Sequence, residues 1–503
     1  MKTVQRYAVI ITAILFAGAV LFTGCPQKID GGPSGGAQSG PDPNLRIEGG
    51  VLKGWNETPP TVLNVPAGVT EIATNAFKDC TSLTSVNLPA SLKKIGNYAF
   101  YGCTGLTGTV NLPAKLETVG AHAFYGCTGL TGVQFPANLT AIEEHAFANC
   151  SALTGPLTLP ASLTGIDAYA FSGCTSLTSV NLPASLKTIG GGAFNGCTGI
   201  TGLDFSACTQ SFVINNYAFK GCTELTGQVR FSSGLTAIKK NAFQDCNKVN
   251  KFDFSQCTQL TEIGYAAFAN CTQITQVQLP ASLQTIASSA FYGCTGLTSL
   301  TVDSASAHLC AIDNIVYTKD KTKLLCRIPK VTSVIFSDGL EEIAAYAFSG
   351  CTSLTSVNLP ASLKTIGGGA FSVCTGLTGT VSLPAKLETV GVDAFNGCTG
   401  ITGLDFSACT QSFVINNYAF KGCTELTGQV RFSSGLTAIK KNAFRDCNKV
   451  SNFDFSSCTR LTEIGSSAFT NCTAARYKVK TGSGLKQKLI AGGVDENKID
   501  EVP

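Results

Sequence analysis

From about Asn44 onward, one arrangement of apolar and polar positions recurs along the chain. An Ala-Phe-x-x-Cys ending returns with its phenylalanine at Phe77, Phe100, Phe124, Phe147, Phe171, Phe194, Phe219, Phe243, Phe268 and Phe291, then at Phe348, Phe371, Phe395, Phe420, Phe444 and Phe469. The step from one phenylalanine to the next is nearly constant, except across the single long interval from Phe291 to Phe348. In the unit that starts at Cys80, CTSLTSVNLPASLKKIGNYAFYG, the apolar residues are Leu83, Val86, Leu88, Leu92 and Ile95, followed by Ala99 and Phe100. Val86 and Leu88 alternate with Ser85 and Asn87, the period of two that marks a short strand with one apolar face. Pro89 ends that strand because it cannot donate to a ladder. Residues 91–95 predict a second short extended or turn segment on the return side, Gly96 a turn, and residues 97–100 a tight turn or single helical turn. No unit holds ten consecutive residues of helical periodicity, which excludes a long helix per repeat.

Twenty-odd residues cannot enclose a core, so each unit must bury its Leu, Val, Ile and Phe against the next. The expected fold is a β-rich solenoid of about sixteen 23–25-residue rungs, with parallel short strands on one face. Two features support stacking over coincidence. Residues 195–243 and 396–444 are identical over 49 positions at an offset of 201, a duplication that a solenoid tolerates because each rung meets only its neighbours. The variants also keep the apolar columns: Phe205, Phe254, Phe406 and Phe455 stand where Leu88 stands, with Ser206, Ser255, Ser407 and Ser456 replacing the proline.

The interval between Phe291 and Phe348 breaks the rhythm. Within it, residues 314–318 and 323–328 read as extended runs around the polar turn 319–322, a hairpin that projects from the solenoid or widens one rung. It serves as a structural spacer or as a recognition loop. The organisation that follows is an N-terminal cap at 45–62 with the single tryptophan Trp55, a first array at 63–299, the interruption at 300–332, a second array at 333–472 and a C-terminal cap at 473–503. A short helix is expected from Gly484 to Ala491.

Of 23 cysteines, sixteen belong to the repeat itself. Pairs such as Phe77 and Cys80, Phe100 and Cys103, Phe124 and Cys127, and Phe348 and Cys351 are structural. Export would favour disulfides, but equivalent cysteines on stacked rungs point inward in parallel, which suits a disulfide poorly. Mostly unpaired buried thiols are therefore expected, acting as small hydrophobes with a weak donor. Cys208, Cys257, Cys409 and Cys458 form a second set. Cys310 and Cys326, inside the interruption, are the candidate pair if any disulfide forms. No Cys-x-x-Cys occurs and no histidine accompanies the cysteines, so neither a metal nor any other cofactor is expected.

Composition narrows the function further. With 36 Lys+Arg against 32 Asp+Glu, the charge is too balanced for a phosphate-neutralising surface, which argues against nucleic acid as a partner. At 44% hydrophobic and 14% charged residues, the chain does not read as disordered. His122, His145 and His308 are isolated, and Glu143, Glu144, Glu341 and Glu342 sit at turn positions, so no pair is marked out for acid–base chemistry. An enzyme is not expected.

The first residues read as an export signal. Lys2 and Arg6 precede an apolar stretch at 8–22, about 15 residues against the ~20 a membrane span needs. Leu21-Phe22-Thr23-Gly24-Cys25 resembles a bacterial lipobox. That implies a signal peptide at 1–24, acylation of Cys25, and a Gly/Pro/Ser tether at 25–44 that holds the body off a lipid bilayer. Pro26 offers no Asp-type retention cue, which favours a surface-exposed place on the outer membrane of a bacterial cell envelope.

The unit LTSVNLPASLKTIGGGAFNGC at 177–197 resembles the BspA-type leucine-rich repeat, a treponemal and bacteroidal surface-protein class, and the likeness covers residues 61–472. The interruption resembles one in that family through Asp313, Tyr317, Lys319, Asp320, Thr322, Leu324 and Pro329. The resemblance implies a right-handed leucine-rich-repeat superhelix and a surface-exposed or secreted protein. It also implies attachment to host matrix proteins, epithelial cells or other bacteria, and it carries no catalytic residues. The candidate ligand-binding ribbon is the outward strand set Ser85/Asn87, Thr109/Asn111, Ser179/Asn181, Gln228/Arg230, Lys251/Asp253, Gln276/Gln278, Ser356/Asn358, Gln429/Arg431 and Asn452/Asp454. A monomeric body would present it to extended protein or glycan. The competing expectation is a structural or envelope-organising lipoprotein with no external ligand.

Overall fold

Alternation of the Val86 type permits only three to five extended residues before a proline or turn, and the strands have that length. They stack in parallel: Val62–Asn64 pairs with Ser85–Asn87 with Leu63 opposite Val86, and Gly227–Arg230 pairs with Val249–Asp253 with Val229 opposite Phe252. On the return side, two-residue strands such as Glu71–Ile72, Lys94–Ile95 and Thr118–Val119 form a second parallel column with Ile72, Ile95 and Val119 in register. The structure, a computed structural model, describes residues 42–57, 60–328 and 331–503. The export segment and Cys25 lie outside the described residues.

The result is a right-handed β-solenoid of about nineteen rungs, against the sixteen expected. The surplus comes from strands without an Ala-Phe-x-x-Cys ending: Ser299–Val302, which runs into the interruption, and Arg476–Lys480 with Ile499–Val502 after the last repeat. At the start, the antiparallel hairpin of Leu45–Glu48 and Val51–Trp55 lies alongside Glu71–Ile72. At the far end, the helix Leu485–Ala491 buries Leu485 and Leu489. The ribbon-side ladder is not continuous. It restarts several times, as at Gly108–Asn111, Gln276–Leu279 and Gly428–Arg431, and at Gly155–Thr158, where Pro156 has no N–H to offer.

Every repeat phenylalanine is buried, and successive rings stack at centroid distances such as 5.1 Å for Phe100–Phe124 and 5.0 Å for Phe348–Phe371. Phe205 meets this column edge-on, 5.7 Å from Phe219 at 88°. The Ala-Phe segment itself is a tight turn. The residue before Ala and the residue before Cys both take left-handed backbone, as at Tyr98 (φ 58°) and Asp79 (φ 58°). That is why Gly, Asn and Asp dominate the position before Cys. Val373 breaks this rule at φ 59°.

The cysteines of the described residues are thiols. Within the regular runs, the repeat thiols donate to the phenylalanine carbonyl of the preceding rung, as Cys150 Sγ does to Phe124 O at 3.1 Å and Cys294 Sγ to Phe268 O at 3.0 Å. Burial pushes the Cys127, Cys197 and Cys294 thiols up to about 12. The candidate Cys310–Cys326 disulfide is not formed. Cys310 lies opposite Tyr317 and Cys326 opposite Val316, so strand Ile315–Thr318 stands between them. Two strand spacings of ~4.8 Å exceed the ~7 Å Cα separation a disulfide can bridge.

The interruption holds three antiparallel strands, Leu309–Ile312, Ile315–Thr318 and Lys323–Arg327, where two extended runs were expected. The additional hairpin closes on Asp313 and Asn314, both at positive φ, as a two-residue connection of type I′ demands. Its last strand pairs in parallel with Glu342–Ile343, so the insert widens the return-side sheet. The opposite side has no strand at 334–336 to pair with. Ser356 and Asn358, expected on a strand, therefore lie in irregular chain.

Two outcomes follow from this packing. Native protein treated with a thiol alkylator is modified first at half-exposed Cys310, and mass spectrometry after denaturation finds the repeat thiols reactive without prior reductant. Replacing Val373 with Gly relieves a β-branched residue in left-handed backbone and stabilises the body by about 1 kcal/mol, read as a higher denaturant midpoint at unchanged slope.

Candidate functional site

Parallel in-register stacking turns the two outward positions of each strand into two columns. Asn87 Nδ2 donates to Asn64 Oδ1 at 2.7 Å, one step of such a column. Thr109 and Asn111 stand beside Gly132 and Gln134, Ser179 and Asn181 beside Gly202 and Asp204, and Gln276 and Gln278 beside Ser299 and Thr301. Ser85, Asn87, Thr109, Asn111, Ser179, Asn181, Gln228, Arg230, Lys251, Asp253, Gln276 and Gln278 are all exposed or half-buried. In the second array Gln429, Arg431 and Asn452 are likewise accessible, whereas Asp454 is buried. Ser356 and Asn358 are accessible but stand outside the ladder. The register adds Gln134, Asp204, Thr301, Arg476 and Lys478 to the same columns. The alternation that marks Ser85 and Asn87 also marks these residues.

The amide columns give way to charged clusters on the phenylalanine-variant rungs. Arg230 stands opposite Asp253, Gln228 donates to Asp253, and Lys251 Nζ lies 3.9 Å from the same carboxylate. In the second array Gln429 Nε2 donates to Asp454 Oδ2 at 2.6 Å, and Arg431 Nε lies 3.4 Å from that oxygen. Burial alone would raise the Asp454 carboxyl. Hydrogen bonds from Ser456 and the Arg431 charge outweigh it and hold the group below the usual carboxylate range. Asp253 is lowered in the same way against burial, by Ser255, Lys251 and Arg230. These carboxylates remain ionised, so each cluster keeps a fixed set of donors and acceptors.

Two shallow clefts of about 790 Å³ open beside the clusters. One is lined by Lys251, Asp253, Ser255, Gln276, Gln278 and Asp303, the other by Asp405, Ser407, Gln429, Arg431, Ser433 and Ser457. Ser255 and Ser407 contribute because they replace the strand-ending proline on these rungs.

The histidines lie elsewhere. His122 and His145 stack between Tyr98 and Tyr169 at 4.5 to 4.9 Å, in the left-handed position before Ala. Burial, then the neighbouring His145, lower the His122 pKa, while Glu144 opposes them. Among the described residues, no group of three or more His, Cys, Asp or Glu is placed to hold a metal ion, and no helix is long and apolar enough to cross a membrane.

The chain matches the family model described as a BspA type leucine rich repeat region over residues 56–155, 152–256, 208–319, 321–413 and 409–486. No curated protein matches it. Solved structures similar to it include a leucine-rich repeat protein from Bacteroides ovatus ATCC 8483, at 22% identity over 92% of this chain and 97% of that one, with a TM-score of 0.44. Another is a leucine rich cell surface protein from Faecalibacterium prausnitzii A2-165, at 22% identity over 90% and 99%, with a TM-score of 0.38. A leucine rich repeat protein of T. pallidum is 26% identical over 44% of this chain and 82% of its own, with a TM-score of 0.28. With the family pattern spread over most of its length, the chain belongs to the BspA-type leucine-rich repeat family.

Proposed function

We propose that this protein is a non-enzymatic adhesin of the bacterial cell surface, anchored to the outer membrane through acylated Cys25. In this reading its polar ribbon attaches to host matrix or surface proteins, to glycans or to other bacteria. The observation that carries the proposal is the repetition of one cluster. Gln228, Arg230 and Asp253 recur as Gln429, Arg431 and Asp454, with the same strand register in both arrays. Each cluster presents an amide and a guanidinium, held in place by an ionised carboxylate, to one passing chain. The ribbon lacks the large aromatic anchors that make a strong single hot spot, so one contact is weak. Two copies on one monomeric body, and many bodies on one cell, convert weak contacts into stable attachment through effective concentration.

A screen of residues 44–503 against immobilised matrix proteins and glycans identifies the ligand, and variants then test the site. Alanine at Gln228 and Arg230 weakens attachment. Alanine at these and at Gln429 and Arg431 together weakens it by about 100-fold, the loss of avidity expected when both copies go. Wild-type attachment by the fourfold variant, or protection of the body from protease on intact cells, would sink the proposal. A Cys25→Ser chain released from the membrane fraction, without palmitate label, is the expected result for the anchor.

A further inference from the structure

Among the described residues the stack of phenylalanines has one internal gap, and a cleft lies in it. From Phe77 to Phe268 and from Phe348 to Phe444, each repeat phenylalanine N–H donates to the Ala carbonyl of the next rung, as Phe268 N does to Ala290 O at 2.9 Å. The residue before each cysteine makes a parallel bond, as Asn270 N does to Tyr292 O at 2.7 Å. Among the described residues, Phe291 N and Gly293 N make neither bond, and no ring contact joins Phe291 to Phe348. A cleft of about 640 Å³ opens between these two turns, inside the ~300–1,000 Å³ range of small-molecule sites.

Arg327, the last residue of the strand Lys323–Arg327, lines this cleft and is only 9% exposed. Its guanidinium sits 5.4 Å from the Phe348 ring centre and donates to the carbonyls of Ile328 and Ser349. Its Nε has no partner. Among the described residues no carboxylate forms an ion pair with it, and burial pushes the neighbouring Cys326 and Cys351 thiols up, away from the charged form. A guanidinium buried without a counter-charge is costly, and a carboxylate matches its fork of donors. Ser289, also lining the cleft and 6% exposed, has an Oγ without a partner. Tyr292 and Tyr346, 52% and 47% exposed, line the cleft, and the ring of Tyr265 lies 6.4 Å from that of Tyr346, edge to face. An exposed aromatic rim beside hydroxyls suits a ring with apolar C–H faces and polar edges.

We propose that this cleft binds an acidic sugar residue, with its carboxylate on Arg327 and its ring against the tyrosine rim. The site lies on the turn side of the solenoid, away from the ribbon, so its fate is independent of the ribbon proposal.

Titration calorimetry or saturation-transfer NMR on the full chain tests it, with D-glucuronate as the probe. D-glucose, acetate and a tetra-aspartate peptide serve as comparisons. The expected result is binding of glucuronate above all three comparisons, weakened about tenfold or more in Arg327→Gln. Tyr346→Gly and Tyr292→Ser also weaken it. These two variants keep the fold, because Gly192 and Gly369 occupy the Tyr346 position in other rungs, and Ser172 and Ser349 the Tyr292 position. They keep the test decisive even where Arg327→Gln unfolds the interruption. Glucose binding as well as glucuronate overturns the carboxylate assignment. Acetate or the peptide binding as well, or glucuronate binding unchanged in both tyrosine variants, overturns the sugar assignment. No binding of glucuronate overturns the site.

Discussion

Everything in this molecule rests on one contact repeated along its axis: a phenylalanine ring lying on the ring of the next rung, with its N–H bonded to that rung's Ala carbonyl. A single rung has no inside. Its Leu, Val and Ile close only against the equivalents before and after, so stability resides in interfaces more than in units. Burying one such side chain supplies about 1.5–3 kcal/mol, and the chain repeats that gain at each step. Copying the segment 195–243 into a second array therefore adds interfaces of a kind already present. It also explains why the terminal strands Arg476–Lys480 and Ile499–Val502 abandon the repeat sequence yet keep its parallel pairing. The end of the stack must be covered by something of the same shape.

The cysteine column is the polar counterpart of that contact. Phe77 O accepts the Cys80 N–H of its own turn at 3.3 Å and the Cys103 thiol of the next rung at 3.1 Å. Two lone pairs of one buried carbonyl are thus filled from two rungs. Alanine would leave one of them empty, and a larger apolar residue would not fit under a turn so tight. Serine would hydrogen-bond more strongly but place a hydroxyl in an apolar column. Cysteine meets both demands, as a small apolar side chain with a weak donor. The chemistry of this residue is therefore spent on packing, and burial keeps its thiolate out of reach.

Local periodicity made the rungs legible before any coordinates. Val86 against Ser85 and Asn87, Pro89 as a stop, and Phe100 with Cys103 each declare their role within a short stretch. What depends on distant neighbours did not show. The Leu309–Ile312 strand lacks apolar–polar alternation, and its Asp313-Asn314 turn lacks the glycine that usually advertises one. The Cys310–Cys326 pairing failed because spacing does not reveal that a strand lies between the two. In the ribbon, the outward faces of Gln228, Arg230 and Asp253 were legible. Their mutual hydrogen bonding was not, because it depends on the register between strands a whole rung apart. Arg327 carried no signal at all: a basic residue at a strand end reads as surface until the rung above it turns out to be displaced.

That displacement decides where a regular solenoid can hold a small ligand. Where the rungs follow one another without interruption, rings and carbonyls fill the interior completely, and only the outward ribbon is left for recognition. A ribbon recognises extended partners through many shallow contacts. An enclosed site requires the stack to fail somewhere, with unspent donors left behind by the failure. The interruption provides both conditions. It separates Phe291 from Phe348, leaves the Phe291 and Gly293 N–H groups without the partners their equivalents have, and brings Arg327 into the space a ring would fill. A gap that served only as a spacer would be expected to close over apolar side chains, as the edge-on Phe205 closes its own rung. This gap is lined by a buried cation and hydroxyls and rimmed by tyrosine, which is the composition of a site that discriminates among ligands.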